Sequence, residues 1–371
     1  MTPLHARVPA PGEELDWPAL RRELPWIEAM HTCPQDPEWH AEGDVGVHTE
    51  MVLRSLTRLT AWRELPARER RLTWLACLLH DVAKPAVTRT EDGRVRSRGH
   101  SRRGAFQARR LLWESGLDPE EREHVCQLVQ HHQVPFFLVD RDDARRGAIL
   151  MSQLLRLDLL ALVTEADARG RICADQQRLL DQVELFRLLA QELGCLRAPF
   201  SFPSSHARAL FAADSRRSEL APAWDDTWGE VLLLSGLPGA GKDTWLAAHG
   251  GEVPIVSLDA LRAELGVSPA GKQGAVVAAG QERARVLLRR KQPFAWNATN
   301  VSRDHRQRLI ELFRRYGAHV RVVSVETASS ELWRRNAGRA EPVPDAVLDR
   351  LIDRWSVPTV LEARALTRVR T

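Results

Sequence analysis

Between residues 48 and about 194, apolar side chains recur at the spacing of a buried helical stripe. Leu72, Leu75, Ala76 and Leu79, for example, fall at i, i+3, i+4 and i+7. The stretches LMSQLLRLDLLALVTEAD and QQRLLDQVELFRLLAQEL keep the same texture, so this half predicts a set of amphipathic helices. From about residue 231 the pattern changes. VLLLS, PIVSLD, PFAWNAT and VRVVSVE are short apolar runs, β-branched or closed by turn and cap residues, separated by helix-length intervals. That alternation predicts a parallel sheet covered by helices. Between the two textures lies a proline-bearing stretch without sustained period. We therefore expect a helical domain over 1–200, a linker over 201–228 and an α/β domain over 229–371.

Composition narrows the classes. A chain of 371 residues with 44% hydrophobic content can fill two cores, and its net charge of +4 permits an anionic partner without requiring one. The five cysteines form no CxxC pair, which argues against a disulfide scaffold or zinc knuckle and fits a reducing compartment. No run reaches the ~18 apolar residues of a membrane span. A cytoplasmic protein with no membrane partner is the expectation.

Candidate chemistry gathers at predicted helix ends. His48 opens one helix, His80 and Asp81 close the next in LLHDVAKP, and Asp167 lies near the end of LALVTEADARG. Imidazole nitrogen and carboxylate oxygen suit divalent metals such as Mn2+, Fe2+, Co2+, Ni2+ or Zn2+, although a lone histidine at any of these places is more often structural. Lys84, one turn beyond His80, can offset phosphate charge or simply serve the helix C-terminus. The basic segment VTRTEDGRVRSRGHSRR reads as a hairpin with an Asp-Gly turn, either a solvated face or a support for a nucleic-acid backbone.

Taken together, the order His48, His80-Asp81, Asp167 resembles the HD phosphohydrolase superfamily. That family's helical fold gathers such residues around one or two metals. HAEGDVGVHT resembles the HxEGD…HT stretch in the HD domains of some tRNA nucleotidyltransferases, and GHSRRGA at His100 looks like their second-histidine motif. LVQHHQVP, with His131 and His132, resembles the further histidines of larger HD sites. The resemblance implies His48, His80, Asp81 and Asp167 as metal ligands, with His100, His131 and His132 as additional candidates. Asp81 would bridge metals or orient the water whose pKa the metal lowers.

In the second half, GLPGAGKDT follows an apolar strand and precedes a helix, the context a Walker A loop requires. Gly236, Gly239 and Gly241, with Ala240, let backbone N–H groups surround a β-phosphate, and Lys242 reaches the β and γ phosphates of ATP. Asp243 stands where Ser or Thr normally holds Mg2+, with Thr244 after it. In SLDALR, Asp259 and Arg262 share one helix face. This is either an ordinary helix start or, as in the polynucleotide kinases it resembles, a general base on a 5′-hydroxyl with an arginine on the acceptor phosphate. PFAWNATN resembles the D-x-T-N strand end of those kinases, with Asn297 at the Asp position. ELWRRNAGRAEPVP resembles their lid, in which Arg335 and Arg339 would stabilise the transferring phosphoryl group and Arg334 competes for the role. Trp245 and Trp296 are candidates for base stacking, against the ordinary tendency of tryptophan to be core.

An HD phosphohydrolase fold followed by an α/β P-loop kinase resembles the bacterial HD-Pnk end-healing enzymes. The resemblance implies removal of 2′-, 3′- or 2′,3′-cyclic phosphate from 3′ ends and ATP-dependent phosphorylation of 5′-hydroxyl ends. RNA or DNA ends would be the substrates, and a ligase would act next. Two alternatives stay open: a metabolite kinase fused to an HD nucleotide hydrolase, and a non-catalytic nucleotide sensor.

Overall fold

The computed structural model describes residues 3–268, 271–339 and 341–371. The chain divides into two compact units, Met1–Phe200 and Ser201–Thr371. The sequence places the first unit's helices by burial. Helix Ala67–Leu79 is buried at every position from Leu72 to Leu79, so it runs through the centre of the unit with no polar face over that stretch. Trp62 and Trp74 are fully buried around it, and truncating either to alanine would cost about 3–5 kcal/mol. Helix Val45–Arg58 presents Val45, His48, Val52 and Leu56 inward, and the Asp44 side chain accepts the Val47 N–H at 2.8 Å to cap it. Helices His100–Glu114, Pro119–His131 and Leu157–Arg169 complete the packing around the central helix.

Two local features refine the sequence reading. The antiparallel hairpin of β1 (Arg89–Glu91) and β2 (Arg94–Arg96) forms across Asp92 and Gly93, both at positive φ as a tight hairpin turn demands. Pro85 occupies the first turn of the short helix Lys84–Val87, where a missing N–H is not needed.

In the second unit, β3 (Glu230–Ser235), β4 (Ile255–Ser257), β5 (Phe294–Asn297), β6 (His319–Glu326) and β7 (Ala365–Arg370) form one parallel sheet in the order β4-β5-β3-β6-β7. Its core joins Val231, Leu233, Trp296, Phe313 and Val322. Within the expected linker, Ser204 caps a helix over Ser205–Ala213 that belongs to this unit. Among the described residues no single helix is long and apolar enough to cross a membrane.

Candidate metal centre and phosphate loop

Five helix termini converge in the first unit. His48 lies in the first turn of its helix, and His80 and Asp81 follow the buried helix. His100 starts a helix after Gly99, whose φ of 74° suits glycine; His132 follows Pro119–His131, and Asp167 sits in a last turn. None of these six is more than 9% exposed, so any charge among them must be answered locally.

The ring nitrogens are sorted by the main chain. Nδ1 of His80 bonds the Cys77 carbonyl at 2.7 Å, that of His100 the Ser97 carbonyl at 2.8 Å, and that of His132 the Val129 carbonyl at 2.8 Å. A carbonyl can only accept, so each Nδ1 carries the proton and each Nε2 keeps a lone pair. These lone pairs face carboxylate oxygens: His80 to Asp81 Oδ2 at 3.1 Å, His100 to Asp81 Oδ1 at 3.3 Å, and His132 to Asp81 Oδ1 at 4.0 Å. His80 Nε2 and Asp81 Oδ1 are buried without a hydrogen-bond partner. Acceptors aimed at acceptors inside a protein call for a cation between them, and the donor set fits a divalent transition metal.

Two ligand groups contain the expected residues, His48 with His80 and Asp167, and Asp81 with His100 and His132, and a third joins His40, Glu42 and His48. Asp81 turns Oδ2 toward the first group and Oδ1 toward the second, so its carboxylate is placed to serve both. His131 is not brought into any of these groups; its Nδ1 bonds the Gln127 carbonyl at 2.9 Å. In a helix the neighbouring positions of a His-His pair point about 100° apart, so only one of the two can face the cluster.

Electrostatics follow from burial. Desolvation pushes His132 down to about 3 and also lowers His100, keeping both rings neutral. Burial would raise Asp81, but the Lys84 ammonium beside it holds its carboxyl well below the usual range. Lys84 is itself buried, with Nζ 2.7 Å from Asp81 Oδ2 and donating to Gln35 Oε1 at 2.7 Å. It is a charge partner of Asp81 rather than a surface helix terminator.

Three participants were not anticipated. Glu42, its side chain fully buried, accepts from His40 Nδ1 at 2.7 Å, lies 2.9 Å from His48 Nδ1, and accepts the Ile172 N–H at 2.8 Å. Burial opposes its ionisation, but these donors hold its carboxyl well below the ordinary value. Arg171 forks Asp167, Nε to Oδ1 at 3.0 Å and Nη2 to Oδ2 at 2.6 Å, and Gln35 holds Lys84. Glu42 stands inside the HAEGD stretch already singled out; Arg171 and Gln35 carry no signal of their own.

In the second unit, β3 ends at Ser235 and the loop turns through Gly239 (φ 81°) and Gly241 (φ 92°) into helix Lys242–His249. A Cβ on Gly236 would stand 2.3 Å from the Val325 carbonyl oxygen, so only glycine fits there. Lys242 Nζ donates to the Gly236 and Leu237 carbonyls at 2.9 and 3.0 Å, and burial pulls its pKa down to about 8. Asp243, Asp259 and Arg339 all act electrostatically on Lys242. Thr244 follows on the exposed side of the loop helix.

The two departures from the kinase pattern are partners: Asn297 Nδ2 donates to Asp243 Oδ1 at 2.6 Å. Asp259, in the first turn of Leu258–Glu264, has 81% of its side chain exposed and pairs with Arg262, which also donates to Gln273 Oε1 at 2.9 Å. Arg335 reaches the loop, donating to the Gly239 carbonyl at 3.4 Å and to Thr371 Oγ1 at 2.9 Å. Arg334 points to solvent and pairs with Glu331, while Arg339 is exposed beside position 340, which lies outside the described residues. Trp296 is buried in the sheet core and cannot stack a base; Trp245 is half-buried and stacked on His249 at 5.2 Å.

Residues 45–161 match the HD domain family and residues 231–358 match an AAA domain family. The chain is therefore an HD domain followed by a P-loop, kinase-like domain with a parallel sheet. Among its relatives, the Multifunctional CCA protein of Xanthomonas campestris is 31% identical over 183 residues, 48% of this chain and 42% of that protein. The Multifunctional CCA protein of Acidovorax sp. is 33% identical over 168 residues, 42% of this chain and 36% of that protein. The chain thus spans about two fifths of the length of these curated relatives. A solved candidate kinase from Chloroflexus aurantiacus aligns with a TM-score of 0.32 and 16% identity, covering 39% of this chain and 89% of that one.

Proposed function

We propose that the chain heals broken nucleic-acid ends. The HD unit removes 2′-, 3′- or 2′,3′-cyclic phosphate from 3′ ends, and the P-loop unit transfers the γ-phosphate of ATP to 5′-hydroxyl ends. The products, a 3′-hydroxyl and a 5′-phosphate, are what a ligase consumes. One observation carries the reading: an exposed carboxylate, Asp259, stands within electrostatic reach of the phosphate-loop lysine. A base there, open to solvent, suits a large acceptor such as a strand end.

The residues divide the work by chemistry. His48, His80, Asp81, His100, His132 and Asp167 would hold a divalent cation, which supplies Lewis-acid polarisation of the phosphoryl group and a more acidic water. Lys84 and Arg171 balance the buried carboxylates of Asp81 and Asp167 and border the cavity beside the cluster. In the second unit the loop N–H groups and Lys242 cradle the nucleotide, with Mg2+ as the expected companion of ATP. Asp259 takes the proton of the attacking hydroxyl, Arg262 grips the acceptor phosphate, and Arg335 with Arg339 neutralises charge on the group in flight. The resemblance of HAEGD…HT to the HD domains of tRNA nucleotidyltransferases supports action on nucleic-acid termini.

End-labelling tests the kinase half. The full chain should label 5′-hydroxyl oligonucleotides from ATP, and Asp259→Ala should abolish labelling. Preference for free nucleosides would make it a metabolite kinase, and no transfer to any acceptor would make it a sensor. His80→Ala or Asp81→Ala should stop phosphate release from 3′-phosphorylated strands while labelling persists.

A further inference from the structure

A cavity of about 340 Å³ adjoins the His–Asp cluster within the first unit. Lys84, His100 and Arg171, already part of the cluster or bonded to it, line it. Trp39 and Phe137, exposed by 42% and 53%, line it as well. Of the phenylalanine, tyrosine and tryptophan residues described, only these two and Trp224 count among the exposed large hydrophobics. An exposed aromatic is informative when it lines a concave site rather than scattered surface, because folding has forgone its burial.

Both aromatics are fixed to the cluster by the chain. Trp39 directly precedes His40, whose ring bonds Glu42 and lies 4.7 Å from the His48 ring, centroid to centroid. Phe137 ends the short 3-10 turn Val134–Phe136 five residues after His132, and its ring meets the buried Phe136 edge at 6.1 Å. Gln133 adds a carboxamide, both donor and acceptor, to the lining. Asp36 and Asp175 also border the cavity; Asp36 accepts the Glu38 N–H and Asp175 pairs with Arg178, so both are engaged locally. The lining thus combines cations paired with the cluster's carboxylates, two aromatic faces and an amide. That combination matches a nucleotide, which carries both a phosphate and a base, and the volume suits one such unit.

We infer that the cavity next to the His–Asp cluster is a nucleoside subsite, in which Trp39 and Phe137 take the base of the terminal nucleotide whose phosphate lies at the cluster. This rests on the reading of the HD unit as a phosphatase acting on strand ends. Stacking explains how such a site accepts any base, since each has a π-face.

The test compares two oligonucleotides bearing a 3′-phosphate, one ending in an ordinary nucleotide and one in an abasic residue, with the full chain supplied with Mn2+. The wild type should favour the base-bearing end about tenfold in kcat/KM. Trp39→Ala and Phe137→Ala should each raise KM for that end by about five- to tenfold and leave abasic turnover within about twofold. Trp39→Phe should recover most of the loss. Equal wild-type rates on the two ends, or equal losses on both in the variants, would overturn the subsite. If the wild type releases phosphate from neither, the phosphatase reading fails, and calorimetric titration with adenosine 3′-monophosphate decides the subsite. Binding lost in Trp39→Ala supports it; no wild-type binding overturns it.

Discussion

Asn297→Asp is the sharpest test of how the phosphate loop is built. The Asn297 amide donates to Asp243 Oδ1 at 2.6 Å, and Asn297 is only 8% exposed. The substitution changes almost no volume but turns a donor into a second carboxylate. Two unit charges at that separation repel by about 1.6 kcal/mol in bulk water and about 6 kcal/mol at the effective dielectric of a protein surface. Asp243 is exposed, which favours the lower part of that range. Adding the lost charge-assisted hydrogen bond, about 1.5–3 kcal/mol, gives an expected destabilisation of about 3–5 kcal/mol. Urea unfolding of the full chain measures it, using the transition that ATP displaces to identify the P-loop unit. The double variant Asp243→Thr with Asn297→Asp restores the residue types of the usual kinase pattern and removes the repulsion. The cycle of wild type, two single variants and the double variant should therefore show a coupling of at least about 1.5 kcal/mol. Additive effects, or an Asn297→Asp protein as stable as wild type, would refute the argument that the two departures compensate each other.

Glu42→Gln should weaken Mn2+ binding by about 10–100-fold in calorimetry, because the carboxylate that orients His48 loses its charge while the fold keeps a polar group there. Chelation with EDTA should stop phosphate release from 3′ ends and leave ATP binding, measured without Mg2+, unchanged. His124 makes the first unit acid-sensitive. Burial lowers its pKa to about 4, and its Nε2 accepts the Arg156 N–H at 3.4 Å. Because the folded value lies below the unfolded one, the unfolded chain binds the extra proton between about pH 6.5 and 4. Stability should be complete above about pH 6.5 and fall by up to about 3 kcal/mol as the pH drops through that window. His124→Gln should remove its share of the dependence in pH-resolved urea melts, leaving that of the buried cluster histidines.

Much of this molecule can be read from the chain because its strongest signals are local. The phosphate loop needs glycines at positive φ between a strand and a helix, and those requirements sit in nine consecutive residues. The His–Asp cluster is harder, since its members are separated by up to 119 residues, and only the helix periods between them show that their ends can meet. What stayed hidden depends on direction rather than residue type. Nothing in LVQHHQVP says which histidine turns inward. Strand β7 escaped notice because ALTRVR places arginines where an edge strand meets solvent, masking its pairing with β6. Gln35 reaches Lys84 only across the fold, while Arg171, four residues after Asp167, and Glu42, six before His48, are near in sequence but nothing in the chain shows that they turn back onto the ligands.

The anchoring of His80, His100 and His132 through main-chain carbonyls has an outcome for variation. The atoms that orient these rings belong to Cys77, Ser97 and Val129, but no side chain of those residues takes part. A mutational scan should find these three positions tolerant of residues with similar packing, while a proline that shifts the local backbone should disable the centre. His48 differs in that its Nδ1 lies 2.9 Å from the Glu42 carboxylate as well as 3.3 Å from the Gly170 carbonyl, which makes Glu42 the replaceable contact through which a single codon change could retune the assembly.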